Sequence, residues 1–186
     1  MKSTVTLLII PGLNDSGSEH WQSYWLRRFN NSKKVIQKDW DKPILKDWLH
    51  NLNEAICEVR GPVVLVAHSL AVSLVLHWVK KYHTKNVMGA MLVSASDVDS
   101  PIHTPEETRN FMPMPLIPLP FPSVVVSSED DSFVSVSRAR EFAKIWGSDF
   151  ISIGYKGHIN AASNLQYWEE GIEILNNLLQ RIENGN

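Results

Sequence analysis

The stretch that most restricts how this chain can fold is Pro62 to Tyr82, PVVLVAHSLAVSLVLHWVKKY. Val63 to Ala67 is apolar throughout and rich in β-branched residues, as a strand buried on both faces of a parallel sheet must be. From Leu70 the period changes. Ala71, Leu74, Val75, Trp78, Val79 and Tyr82 recur every three or four residues and mark one face of a helix. Ser69 stands at the joint, on a sharp strand-to-helix turn that pushes its hydroxyl out of the sheet, beside the free amides of the first helical turn. That context is a nucleophile elbow. Its flanks must be small to avoid collision across the turn, and alanine at positions 67 and 71 meets that need in place of the more usual glycine. The competing reading is a serine that only caps the helix, so the elbow has to be judged by whether a base and an acid follow.

The remaining composition narrows the class. A chain of 186 residues, 44% hydrophobic, is expected to form a single domain over 1–186 with a sizeable core. A net charge of -2 with scattered lysines and arginines gives no basic field, so neither nucleic acid nor an anionic membrane is an expected partner. Cys57 has no second cysteine to pair with. It reads as a small core residue of a helix, which fits a reducing compartment. The apolar run Val5 to Ile10 is too short for a signal-peptide core and nothing else approaches a membrane span, so the expected location is cytoplasmic.

Elsewhere strands and helices alternate. Strands are expected at Thr4–Ile10, near Lys34–Gln37, at Val87–Val93, at Ser123–Ser127 and near Phe150–Ile153. Helices are expected from Ser18–Glu19 through Phe29, along the stripe Ile44, Leu45, Trp48, Leu49, Leu52 and Ile56, near Ser135–Trp146, and along Trp168 to Ile182. The segment Asp97 to Pro122 holds seven of the ten prolines but is too apolar for a disordered linker. It is expected to be an ordered loop over the sheet end. This alternation predicts an α/β fold, a three-layer α/β/α sandwich on a parallel sheet of about six strands. Its site should gather at the carboxyl ends of the strands.

The chemistry follows from those strand ends. A serine hydroxyl needs a base to take its proton and a carboxylate to orient that base. In an elbow enzyme the chain order is serine, acid, histidine. His158 is the one histidine after the fifth strand, in a loop next to Gly157. Glu129, Asp130 and Asp131 follow the fifth strand and Asp97 follows the fourth; Asp131 is favoured as the acid. Of the two amides needed to hold an oxyanion, Leu70 supplies one, and Leu13, or else Asn14, supplies the other. Paired cysteines, a His-Glu-x-x-His motif and a phosphate-binding glycine loop are all missing from the sequence, so no metal and no cofactor is expected.

Pro11-Gly12 with Ser16, His20 and Trp21, then Asp39-Trp40, His68-Ser69, Ser128 to Phe133 and Gly157-His158 give the chain a resemblance over nearly its whole length. It resembles the small, lidless α/β-hydrolases that include retinoblastoma-binding protein 9 and the YdeN-like serine hydrolases. The resemblance implies a minimal α/β-hydrolase fold without a large cap domain. It places the family's Ser, Asp and His on Ser69, Asp131 and His158, and favours Asp131 over Asp130. A small-molecule acyl substrate, an ester or else an amide or thioester, is expected to pass through an acyl-enzyme. Asn14, Ser16 and His20 are candidates for contacts to it, and the Pro-rich segment is expected to help build its pocket. Trp21 reads as core. The alternative is a catalytically weak protein of this fold that acts by binding a protein partner, whose motif cannot be located in the chain.

Overall fold

The computed structural model describes residues 5–82 and 85–185. Thirteen elements follow one another: β1 (Thr6–Ile10), α1 (Trp21–Arg28), β2 (Ser32–Lys34), α2 (Leu45–Cys57), β3 (Val63–His68), α3 (Leu70–Lys81), β4 (Val87–Val93), a 3-10 turn (Glu106–Phe111), β5 (Ser123–Ser127), α4 (Val136–Trp146), β6 (Asp149–Ser152), a second 3-10 turn (Ala161–Ser163) and α5 (Glu169–Asn184). The strands form one six-stranded sheet in the order β2-β1-β3-β4-β5-β6. Every pairing is parallel. The architecture is the α/β sandwich expected from the sequence.

Side chains alternate across this sheet, as the two-residue period of a strand requires. Leu8, Ile10, Leu65, Ala67, Leu92 and Val125 pack with α2, α3 and α4. Leu7, Ile9, Val64, Val66, Met91 and Val126 pack on the other face with α1 and α5. The central strand β3 is buried along its whole length. The chain runs from β1 outward to β2, crosses back to β3, and then continues in the opposite direction. Strand order therefore reverses between β1 and β3, and a crevice opens there at their carboxyl ends. Ser69 follows β3 at that edge.

Several boundaries differ from the sequence reading. The second strand is Ser32–Lys34 rather than Lys34–Gln37, because its partner β1 offers a ladder only up to Ile10; Val35 N–H still reaches Ile9 O, and beyond it Pro11-Gly12 leaves the sheet. Helix α1 begins at Trp21, not Ser18, since His20 takes the capping position and its Nδ1 accepts from Gln22 N–H. Ile44 and Trp168 are likewise caps, not helical residues, and Ile44 is exposed. β6 begins one residue early, at Asp149, opposite Val124. Cys57 is exposed, so the core assignment is corrected: it is the last residue of α2, pointing away from the stripe formed by Trp48, Leu52 and Ile56. Thr4 lies outside the described residues. The Pro-rich segment is ordered around buried Val98, Phe111 and Met114, and Trp146 Nε1 donates to Pro115 O. Among the described residues no helix is long and apolar enough to cross a membrane.

Candidate active site

The turn after β3 carries the backbone strain expected of an elbow. Ser69 has φ 59° and ψ -123°, a conformation an L-residue adopts only where its surroundings enforce it. Those surroundings are tight. Ala67 and Ala71 have no exposed surface, and Gly12 packs so closely that a Cβ there would lie 2.9 Å from Ser69 Cβ and 3.2 Å from Leu70 N. The loop after β1 and the first turn of α3 thus lie side by side. Leu13 and Leu70 both line the cavity at this junction. Asn14 N–H is committed to Trp40 O at 2.9 Å, which leaves Leu13 as the better placed of the two amides weighed from the sequence.

Ser69 Oγ lies 2.8 Å from His158 Nε2, and His158 Nδ1 lies 2.8 and 3.0 Å from the two oxygens of Asp131. The Asp131 side chain is fully buried and also accepts from Phe133 N–H at 2.9 Å. An ionised carboxylate only accepts, so Nδ1 carries a proton. Neutral His158 therefore presents a bare Nε2 to the serine. The other acids are placed for different work. Asp130 Oδ1 accepts from Ser128 Oγ at 2.7 Å and from Gly157 N–H at 2.8 Å, and these bonds hold its carboxyl below the usual range. Asp97 faces Arg138 Nε at 3.3 Å, and exposed Glu129 meets Ser152.

His158 is fixed by its flanks. Gly157 and Ile159 both have positive φ, 57° and 49°. Ile159 tolerates this because its side chain is fully buried and its carbonyl accepts from Trp21 Nε1 at 2.8 Å. Trp21 is thus a core residue that tethers the loop. His68 Nε2 donates to the His158 carbonyl at 2.9 Å, which also fixes its tautomer. Burial, and then the neighbouring His20 and His158, push the His68 imidazole well below its ordinary value. Burial, followed by His158, pushes His20 down to about 4. Both rings are therefore neutral near pH 7.

A cavity of about 310 Å³ opens over Ser69. Its wall is mainly apolar, from Leu13, Leu70, Pro105, Phe133, Ala161 and Ala162, with Asn14, His20, His68, Ser96, Thr108 and Asn160 as polar points. Asp15 also lines it, with Lys34 Nζ 2.7 Å from its carboxylate. Ser16 does not reach the cavity. That expectation is corrected: its hydroxyl donates to Gln22 Oε1 at 2.6 Å and braces the loop. The Pro-rich segment contributes Pro105 and Thr108 but otherwise packs on the α3 and α4 side. Ser96 and Asn160 escaped the sequence reading, and Phe133 entered it only as the end of the Ser128 to Phe133 segment, with no role at the site. No motif marks Ser96 or Asn160, and only their positions just past β4 and His158 hint at a role. Among the described residues no group of three His, Cys, Asp or Glu side chains is placed to share a metal ion.

A family model described as "Serine hydrolase" matches residues 7–177. A solved protein from Pectobacterium atrosepticum described as a YdeN-like hydrolase is 29% identical, covering 96% of this chain and 92% of that one with a TM-score of 0.85. The ydeN gene product of B. subtilis is 20% identical over 95% of this chain and 100% of its own, at a TM-score of 0.80. A thermophilic esterase from Thermogutta terrifontis aligns at 11% identity, 98% and 92% coverage, and a TM-score of 0.67. These last two likenesses speak to the fold alone. No curated protein matches in sequence.

Proposed function

The chain belongs to the serine hydrolase family, and from that premise we propose that it acts as one cap-less domain cleaving small, uncharged esters through an acyl-enzyme on Ser69. The observation that carries this reading is the unbroken contact from Ser69 Oγ through His158 to Asp131. In the first step Ser69 Oγ attacks the acyl carbon while His158 Nε2 takes its proton. Asp131 keeps the imidazole in the Nδ1–H tautomer and balances the imidazolium that forms. The amides of Leu13 and Leu70 receive the oxyanion. Collapse expels the alcohol, which takes the proton back from His158. Water then repeats the cycle on the acyl-enzyme and releases the acid. A thioester or an activated amide would follow the same steps.

Substrate size follows from the cavity. A volume of about 310 Å³ lies at the small end of ligand pockets, and the apolar wall suits a short acyl group. The one carboxylate in that wall, Asp15, sits against Lys34, so no free charge invites an ionic substrate. His20 and Asn14, with Thr108 and Asn160, are polar groups in that wall placed to orient the ester.

The test is covalent labelling by a fluorophosphonate, with p-nitrophenyl acetate hydrolysis followed in parallel. Wild type should be labelled and active, and both Ser69→Ala and His158→Ala should lose both properties. Folded wild type that resists the probe would refute the reading and favour a protein that works by binding alone.

A further inference from the structure

Ser69 Oγ has a second polar neighbour that the mechanism above leaves unused. Ser96 Oγ stands 2.9 Å from it and also lines the cavity. Asp131 forces the proton of neutral His158 onto Nδ1, so Nε2 can only accept, and the acceptor 2.8 Å from Ser69 Oγ claims its single proton. Ser69 then has nothing left to donate. Ser96 must be the donor, and Ser69 Oγ accepts. The result is a one-way chain of donors, Ser96 to Ser69 to His158, with Nδ1–H on to Asp131, in which each bond polarises the next.

Ser96 is not there by chance of side-chain packing. Ser94 N–H donates to Val126 O at 2.9 Å, Asp97 N–H donates to Phe133 O at 3.1 Å, and Val98 N–H donates to Ser96 O at 3.0 Å. The backbone on both sides of Ser96 is therefore pinned to β5 and to the turn that carries Asp131. The residue is only 5% exposed.

We propose that Ser96 is a catalytic hydroxyl that donates to Ser69 Oγ and stabilises the negative charge building on that oxygen as His158 removes its proton. This rests on Ser69 being the nucleophile. When the proton moves, the Ser96 bond changes from one between neutral groups to one onto a charged oxygen, and bonds of the second kind are about twice as strong. Because the gain arises in the transition state, it raises turnover rather than affinity. It also spends one lone pair of Oγ on Ser96, so the other is the one that faces the cavity.

The experiment compares Ser96→Ala, Ser96→Cys and Ser96→Thr with wild type, reading the fluorophosphonate inactivation rate, kcat and KM for p-nitrophenyl acetate, and the pH profile of kcat/KM. Ser96→Ala should be inactivated and turn over about tenfold more slowly, as the difference between a neutral and a charge-assisted bond implies, with KM unchanged. The acid limb of the profile should stay in place, because His158 keeps its partner Asp131; a disturbed triad would move it. Ser96→Thr, which keeps the hydroxyl, should recover most of the rate. Ser96→Cys fills the site with a weak donor and should show the loss even if the alanine variant does not fold. Wild-type rates in Ser96→Ala or Ser96→Cys would overturn the proposal, as would a threonine variant as slow as alanine. Those results would leave Ser69 as nucleophile untouched, whereas an unlabelled wild type would remove the ground for both.

Discussion

Substituting Gly12 with alanine probes whether the oxyanion site is built from the contact between two loops. A Cβ at Gly12 would lie 2.9 Å from His68 O, 2.9 Å from Ser69 Cβ and 3.2 Å from Leu70 N, whereas ordinary contact begins at 3.4 Å. The difference of 3.4 and 2.9, about 0.5 Å, must be found between backbones, since two of the three atoms met are main-chain and the third is the first atom of the Ser69 side chain. Overpacking of this kind costs about 1–3 kcal/mol of stability. Its effect on activity should be larger, because Leu13 N–H follows Gly12 and Leu70 N–H is one of the groups pushed. Moving the two amides apart removes one from reach of the oxyanion, which costs roughly a hundred- to a thousand-fold in kcat. The assay is p-nitrophenyl acetate turnover with urea unfolding alongside, using Gly17→Ala as control: in the same loop, a Cβ at Gly17 meets nothing within 4 Å. Gly12→Ala should lose kcat while remaining folded, and Gly17→Ala should keep wild-type stability. Wild-type kcat in Gly12→Ala would refute the two-loop origin of the oxyanion site.

Asp131→Asn should lower kcat by about four orders of magnitude by destabilising the Nδ1–H tautomer of His158, while Asp130→Asn, which keeps an oxygen to accept from Gly157 N–H, should lose little; equal losses in steady-state kinetics would reverse the assignment of the acid. Acid should destabilise the fold through His20. Its folded value of about 4 lies below the ordinary 6.5, so the unfolded chain binds the proton more tightly, and stability falls as pH drops from 6.5 to about 4 by about 3 kcal/mol, with the loss complete below. Urea unfolding at pH 7.5 and pH 4 should show that loss shrinking in His20→Asn, which retains a capping acceptor without a titrating ring; an unchanged loss would place the acid sensitivity elsewhere.

The sheet and the elbow were legible because burial on both faces and the change of period at Ser69 are written directly into residue type. What the sequence left open depended on direction. Asp130 and Asp131 are chemically equivalent neighbours, and only the turn after β5 decides that one carboxylate faces His158 and the other Gly157 N–H. Leu13 and Asn14 likewise differ by where one amide points, and only the fold shows that the Asn14 amide is taken up by the carbonyl of Trp40, distant in sequence. Ser96 left no trace because its role needs no motif, only the juxtaposition of two strand ends. Cys57 and Ile44 misled for a common reason: at the ends of an amphipathic helix the periodic stripe continues in sequence after the packing surface has stopped.

A hydrolase without a large cap must hold its loops in place by other means, and here they are tied to one another across strand ends. Ser128 Oγ accepts from Lys156 N–H, Asp130 accepts from Gly157 N–H, and His68 and Trp21 grip the carbonyls of His158 and Ile159. Each of these bonds uses a backbone group of the His158 loop that would otherwise need water. The loop can therefore hold Ile159 at its positive φ and still aim the His158 imidazole. The short acyl group proposed as substrate matches the volume of about 310 Å³ left between these tied loops, where Pro105, Thr108 and Phe133 line the cavity together with Leu13, Asn14 and Asp15 of the β1 loop.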